Sequence, residues 1–281
     1  MACRLKLFAI VLLGFAGAAA GNSSGQVQKA KNPGQVQEVK LNVTAEQVAE
    51  GAIVGTAPQG GRALLTQIRR NGLERGRSTR VLPDGRSEED RYEIRFVRGD
   101  DASKDKVRID HKTPQTEYSI VYSGGRMFGV INGSAFIPRA EVASSFLSDR
   151  AHSIDALLRY KENDSKLVLV GKNKQKGIEF YILDLTDKEN HQTRYNISAK
   201  SLRVLWLEYE ETPPGAAAPV KYIKKFNDYH LAQGIFVPFQ TILYQDGKQT
   251  QETLISTITY GVKMDEALFQ NPDNPTSTSN P

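Results

Sequence analysis

The stretch from Phe226 to Gln249, FNDYHLAQGIFVPFQTILYQDGKQ, decides the architecture. Strand-like runs flank the turn at Gly234, and Asp246-Gly247 supplies a second tight turn. Two antiparallel strands running into a third are expected. One residue breaks the pattern. Pro238 stands inside an apolar run, where a strand ladder wants a backbone N–H, and such a proline is tolerated only at a sheet edge or a bulge. The expectation is an open sheet with Pro238 on its rim strand, where no neighbour needs the missing donor.

Working outward, the periodicity is mostly two. Ile68 to Leu82 reads as a polar strand ending at Pro83-Asp84-Gly85, which carries turn chemistry. The return segment EDRYEIRFVR sets Tyr92, Ile94 and Phe96 on one face and Arg91, Glu93 and Arg95 on the other. Further strands are expected at KVRID, TEYSIVY and RMFGVI. After residue 160 they follow at KLVLVG, GIEFYILDL, HQTRYNIS, LRVLWLEYE, VKYIKKFNDYHL and KQTQETLISTITY. The run PPGAAAP (213–219) is flanked closely by strand-like segments and reads as a long hairpin loop. Two segments carry helical spacing instead. Thr44 with Gln47 forms a capping box ahead of the stripe Val48, Ala49, Ala52 and Ile53. From Pro138, the residues Val142, Phe146, Ile154, Leu157 and Leu158 recur at helical intervals, with a break near Ser148-Asp149.

The N-terminus adds a compartment. Arg4 and Lys6 precede an apolar run from Leu7 to Phe15, and Ala18-Ala19-Ala20 offers a cleavage site, the tripartite pattern of a secretory signal peptide. The run is shorter than the roughly 20 residues a membrane span needs. Cys3, the single cysteine, precedes it and would leave with it, so disulfides, thiol nucleophiles and cysteine-ligated metals are excluded from the mature chain. The formal charge of +5 falls to +3 once Arg4 and Lys6 are removed, which is not the footprint of a nucleic-acid binder. The expected organisation is a signal peptide over 1–20, a flexible leader over 21–43, one domain over 44–270 and a disordered tail over 271–281. A periplasmic or secreted protein, soluble after cleavage near Ala20 and monomeric, is expected.

Catalytic patterns are missing. His111, His152, His191 and His230 lie far apart, and none has ligand spacing. GTAPQGGR imitates a P-loop, but Gly61 occupies the place of the phosphate-binding lysine. DASKD, from Asp101, starts like a calcium loop, yet Lys106 and Lys112 stand where glycine and glutamate are required; a hairpin turn fits better. Glu210-Glu211 reads as a solvated face, and so do the basic clusters at 69, 70, 75, 77 and 80 and at 172, 174 and 176, for which attraction to anionic lipid headgroups or an acidic partner is the functional alternative. No nucleophile, base and orienter assemble. A non-enzyme with no cofactor and no metal is expected.

What remains is shape. About ten antiparallel strands tend to curl, and segments such as FYILDL and VLWLEY are apolar on both faces. A sheet that curls without closing has a trough for a concave face, and the midway helices can cover it. Such a trough suits acyl chains; the other reading is that the same residues form a solid core.

The C-terminal part of the chain, KKFNDYHLAQGIFVPFQTILYQDGKQTQETLISTITYGVKMDEALFQNP, resembles the outer-membrane lipoprotein carrier (LolA-like) superfamily, MucB/RseB-like relatives included. The matching positions are Phe226, Asp228, Tyr229, Gly234, Pro238, Asp265, Leu268, Phe269 and Pro272, and YNISAKSLRVLWLEYEE resembles the strand–turn–strand upstream of them. The resemblance implies an α+β, mostly antiparallel fold: a curved incomplete β-barrel, or half-barrel, with helices as a lid over the concave face. It implies a cavity sheltering lipid or the acyl chains of a lipoprotein. Tyr92, Ile94, Phe96, Ile120, Phe180, Ile182, Trp206, Phe236 and Phe239 are the expected cavity residues, and Val142, Phe146, Ile154 and Leu157 the lid. Each assignment depends on register, since a slip of one residue inverts a strand. The partners implied are lipid acyl chains or a lipidated protein. The alternative is a regulatory periplasmic module of the envelope-stress sensor type, binding a membrane-associated protein partner.

Overall fold

The computed structural model describes residues 42–82 and 84–273. The expected signal peptide, nearly all of the expected leader and the last eight residues lie outside them. Two helices come first, α1 (Ala45–Thr56) and α2 (Gly61–Ile68). Six strands follow: β1 (Asn71–Val81), β2 (Ser87–Val97), β3 (Lys106–Lys112), β4 (Glu117–Ser123), β5 (Arg126–Ile131) and β6 (Ser134–Phe136). The chain then forms α3 (Ala140–Ala151) and α4 (Ile154–Leu158). Seven more strands complete it: β7 (Lys166–Gln175), β8 (Ile178–Thr186), β9 (Gln192–Ser198), β10 (Val204–Glu211), β11 (Val220–Ala232), β12 (Ile235–Gln245) and β13 (Lys248–Tyr260).

All thirteen strands belong to one antiparallel sheet in the order β6-β5-β4-β3-β2-β1-β13-β12-β11-β10-β9-β8-β7. The sheet does not close, because β6 and β7 are its two edges. Every neighbouring pair is a hairpin or a short connection except β1 with β13, which joins the two halves of the chain. The turns obey local chemistry. Gln233-Gly234 and Asp246-Gly247 both have positive φ at each residue, as a two-residue hairpin requires.

The sheet is strongly curled, and one segment demonstrates it. In α3, Phe146 packs on Tyr122 of β4 with ring centroids 5.9 Å apart. At the end of the same helix, His152 bonds Thr193 of β9 at 2.7 Å. Those strands are eight places apart in the sheet, about 38 Å if it were flat, whereas six residues of helix advance only about 9 Å. Bulges between Arg75 and Gly76, Leu169 and Gly171, Val204 and Trp206, and Leu243 and Tyr244 contribute to the bend.

The helices cover the inner face. The α1 stripe of Val48, Ala49, Ala52 and Ile53 is buried, and its capping box forms as the Thr44/Gln47 spacing requires. It shares the main core with Leu183, Tyr195, Ile197 and Leu207 from β8, β9 and β10. Leu157 and Leu158 of α4 join this main core; Ile120, Tyr122 and Phe146 make a smaller one toward β4. Between the two, glycines on β1 give room for rings from β2. A Cβ on Gly72 would lie 2.6 Å from the Phe96 ring, and one on Gly76 2.7 Å from that of Tyr92.

Three expectations need correction. Pro238 is not on a rim strand, since β12 lies in the middle of the sheet. Ile68 ends a helix instead of starting a strand, so the glycines of GTAPQGGR lead into α2. The break in the central helix falls at His152-Ser153, where Ser153 caps α4 through Ala156 N.

Candidate functional site

The position of Pro238 leads to the site. Along β12, residues 240–245 pair with β13, but Ile235–Pro238 pair with β11 alone. Likewise Ile255 and residues 257–260 of β13 pair only with β1. The two strands part at Gln240 and Leu254, leaving a slit within the sheet. Pro238 sits opposite Tyr229 of β11 where the β13 partner has peeled away, so its missing donor leaves no ladder incomplete. The far end of the slit is bridged by a side chain: the Gln233 amide donates to Tyr260 O at 3.3 Å, and its oxygen accepts from Tyr260 N at 2.6 Å.

Beneath the slit, on the inner face, is a cavity of about 360 Å³, within the size range of small-molecule pockets. Its apolar wall comes from the sheet: Val204, Phe226, Phe236, Val237, Leu243 and Ile255. Tyr229 spans one side and donates its hydroxyl to Val204 O at 2.6 Å. The Arg203 guanidinium lies over the Phe236 ring, 3.6 Å from its centroid.

The opposite wall is ionic and belongs largely to the helices. Asp155 of α4 lies between Arg98, which bonds it directly, and Arg69, at 3.2 Å. Burial opposes ionisation of Asp155, but Arg98, Arg69 and Arg159 outweigh it and hold the carboxyl at about 2. Glu74 faces the same cavity from β1. Burial pushes its carboxyl upward, against the Tyr92 hydroxyl bond of 2.9 Å and the Arg69 charge. At the other end, Lys224 of β11 donates to Asp149 at 2.8 Å and to His152 O at 2.9 Å.

Two polar clasps fasten α3 and α4 across the trough. On the β9–β11 side, His152 is almost fully buried, stacks on Tyr209 at 3.8 Å and bonds both Thr193 and Glu211. Ser148 donates to the same glutamate at 2.6 Å. Burial depresses the His152 pKa, only partly offset by Glu211. On the β2–β4 side, Arg159 forms a two-pronged bond to Asp105 at 2.8 and 3.0 Å, and Arg150 reaches the same carboxylate at 3.3 Å. Glu211 and Arg69, read from sequence as solvated, are thus structural partners of the lid.

The expected site residues divide sharply. Phe236 and Ile154 line the cavity. Tyr92, Ile94 and Phe96 lie on the inner face beside it, as their register with Gly76, Glu74 and Gly72 requires. Ile120 and Phe146 belong to the smaller core, Leu157 to the main one, and Val142 is 37% exposed on the outside of α3. Phe180, Ile182 and Trp206 are a correction. They alternate with Leu183, Tyr195 and Leu207, so they occupy the outer face, where Phe180 and Trp206 pack edge to face at 4.7 Å. Phe239 is another correction: it lines a separate outer cleft with Asp228, Leu254, Arg77 and Arg91. A left-handed Asp228, φ 52°, lies opposite it on β11 and interrupts the alternation.

Sequence reasoning missed Phe226, Val237, Leu243 and the ionic wall. For the strands, a signal was present. Asp184 follows Ile182 by two residues and Glu208 follows Trp206 by two, so each shares a face with a charge. The structure pairs Asp184 with Arg194 on that outer face, at 2.8 Å from both Nε and Nη2. Among the described residues, Asp187, Glu189 and His191 hold ligand atoms within 4.8 Å of one another on an exposed loop, but His191 Nδ1 is already bonded to Asp187.

Three solved structures share the architecture. A DUF1329 family protein from Desulfovibrio piger superposes over 82% of this chain and 98% of its own, with a TM-score of 0.55 and 16% identity. A LolA superfamily protein from Nitrosomonas europaea covers 81% and 98%, at a TM-score of 0.56 and 13% identity. A domain assigned as an outer membrane lipoprotein-sorting protein, from Vibrio parahaemolyticus, covers 79% and 97%, at 0.54 and 12%. No protein-family model matches the sequence, and no curated protein does. The LolA-like likeness is therefore one of fold, and no helix among the described residues is long and apolar enough to cross a membrane.

Proposed function

We propose that this protein is a periplasmic carrier or chaperone that binds an acyl chain, of a lipid or a lipidated protein, in the cavity between sheet and lid. The observation that carries the reading is the two-sided cavity. Its sheet wall offers Val204, Phe226, Phe236, Val237, Leu243 and Ile255 to a tail. On the opposite wall Arg69 and Arg98 are paired with Asp155, and Lys224 with Asp149. The LolA-like fold of the neighbours supports the same direction. The role is binding, with no bond made or broken.

The test is mass spectrometry of the mature protein purified without detergent from its own periplasm, first native and then after solvent extraction. A stoichiometric acylated species is expected, lost in Phe236→Asp and kept in Trp206→Asp, whose side chain is on the outer face. A clean apo mass with no uptake of added acyl ligand would overturn the carrier reading and leave a filled trough. A regulatory module recognised by a protein partner would then stand in its place.

A further inference from the structure

The slit between β12 and β13 opens on both faces of the sheet. Ile255 lines the inner cavity and also the outer cleft, a space of about 530 Å³ that includes Phe239, Leu254 and Ser256. Arg77 and Arg91 form the rim of that cleft and share one carboxylate, Glu89, at 3.9 and 3.7 Å. The same shortage runs across the outer face of β1–β3, where Arg75 and Arg95 share Glu93, and Arg95 and Arg108 share Asp110. Five guanidiniums therefore divide three carboxylates, and the two at the slit are the loosest pairs; the other carboxylate of the cleft, Asp228, is bonded to His230 at 2.8 Å. No strand-to-strand bond spans the slit between Gln240–Leu254 and the Gln233 bridge. Its sides are Pro238, which has no N–H to desolvate, and the apolar Phe239 and Ile255.

The geometry points to the slit as the seat of an amphiphile with an anionic headgroup: the headgroup rests on Arg77 and Arg91 outside, and the tail passes Ile255 into the inner cavity. This rests on the acyl-binding reading above and adds a headgroup site and a route through the sheet, in place of a route under the lid. The side chains of Pro238, Phe239 and Ile255 give the passage an apolar lining, which suits an alkyl tail. A carboxylate or phosphate outside would take up the guanidinium N–H groups that Glu89 holds only at long range.

Calorimetric titration of the delipidated full-length mature protein with palmitate and with hexadecanol, which has the same tail and no charge, tests it. The double variant Arg77→Gln/Arg91→Gln should weaken palmitate about tenfold while leaving hexadecanol within about twofold, the loss of one charge-assisted contact. Ser256→Trp, which fills the slit, should slow stopped-flow uptake of both ligands, with wild-type circular dichroism showing that the variant is folded. Unchanged palmitate affinity in the double variant, or equal loss of both ligands, would overturn the headgroup site. Unchanged uptake in a folded Ser256→Trp would overturn the route while leaving the cavity reading intact. Failure of the wild-type protein to take up either ligand would overturn both.

Discussion

Glu74 carries the most informative single charge of the cavity. It accepts from Tyr92 and faces Arg69, yet burial dominates and raises its pKa. The raised value means that the folded state favours the protonated acid. Stability from this residue is therefore fully present below the unfolded value of about 4.3 and is lost as pH rises through the folded one. Gln cannot ionise and keeps an oxygen for the Tyr92 hydroxyl. Glu74→Gln should accordingly raise the melting temperature at pH 8 and leave it nearly unchanged at pH 4. An equal shift at both pH values would show that ionisation is not the cause. Asp155 has the opposite behaviour: its three arginines lower its pKa, so its contribution is present at neutral pH and disappears in acid.

At the level of strands and helices, close approach and register decide what the cavity looks like. Gly76 lets the Tyr92 ring lie across β1, so Gly76→Val should overpack the inner face and cost about 1–3 kcal/mol in urea unfolding. A cost below about 0.5 kcal/mol would mean that both the ring and the Leu254 carbonyl, which a Cβ there would also meet, give way freely. Strand existence was legible because turn residues and period two are local signals: Asp246-Gly247, Gly234 and the Tyr92/Ile94/Phe96 alternation all appear as read. The capping box at Thr44 and the α1 stripe were legible for the same reason. Face assignment failed in β8 and β10, where both faces are apolar and hydrophobicity alone cannot choose between them. The ionic wall was illegible because its partners, such as Arg98 and Asp155, are far apart in sequence and meet only when the sheet curls. Pro238 was read correctly as a residue with no ladder partner to disappoint, but its open edge is internal, created by a parting of strands that no local pattern announces.

Across the whole molecule, α3 and α4 act as a tie between the two arms of the sheet, with Asp105 holding one arm and Glu211 the other. Asp105→Asn leaves the buried Arg159 and Arg150 short of countercharge, which should cost about 3–5 kcal/mol. It should also raise hydrogen exchange in α3 and α4 above that of β9–β11. Uniform exchange throughout would mean that lid and sheet open only together. The order of the strands has a further consequence, one of timing. Leu73 pairs with Thr259 and Glu74 with Ile258, so the seam joining the two arms is made by nearly the first and last strands of the domain. Pairing over such sequence separation is slow and follows the local hairpins. A chain still emerging from a ribosome or a translocation channel can form its separate hairpins but not the trough, because β13 has yet to arrive. The cavity is then the last feature to be assembled, and a chain cut short before Lys248 would have two arms and no container.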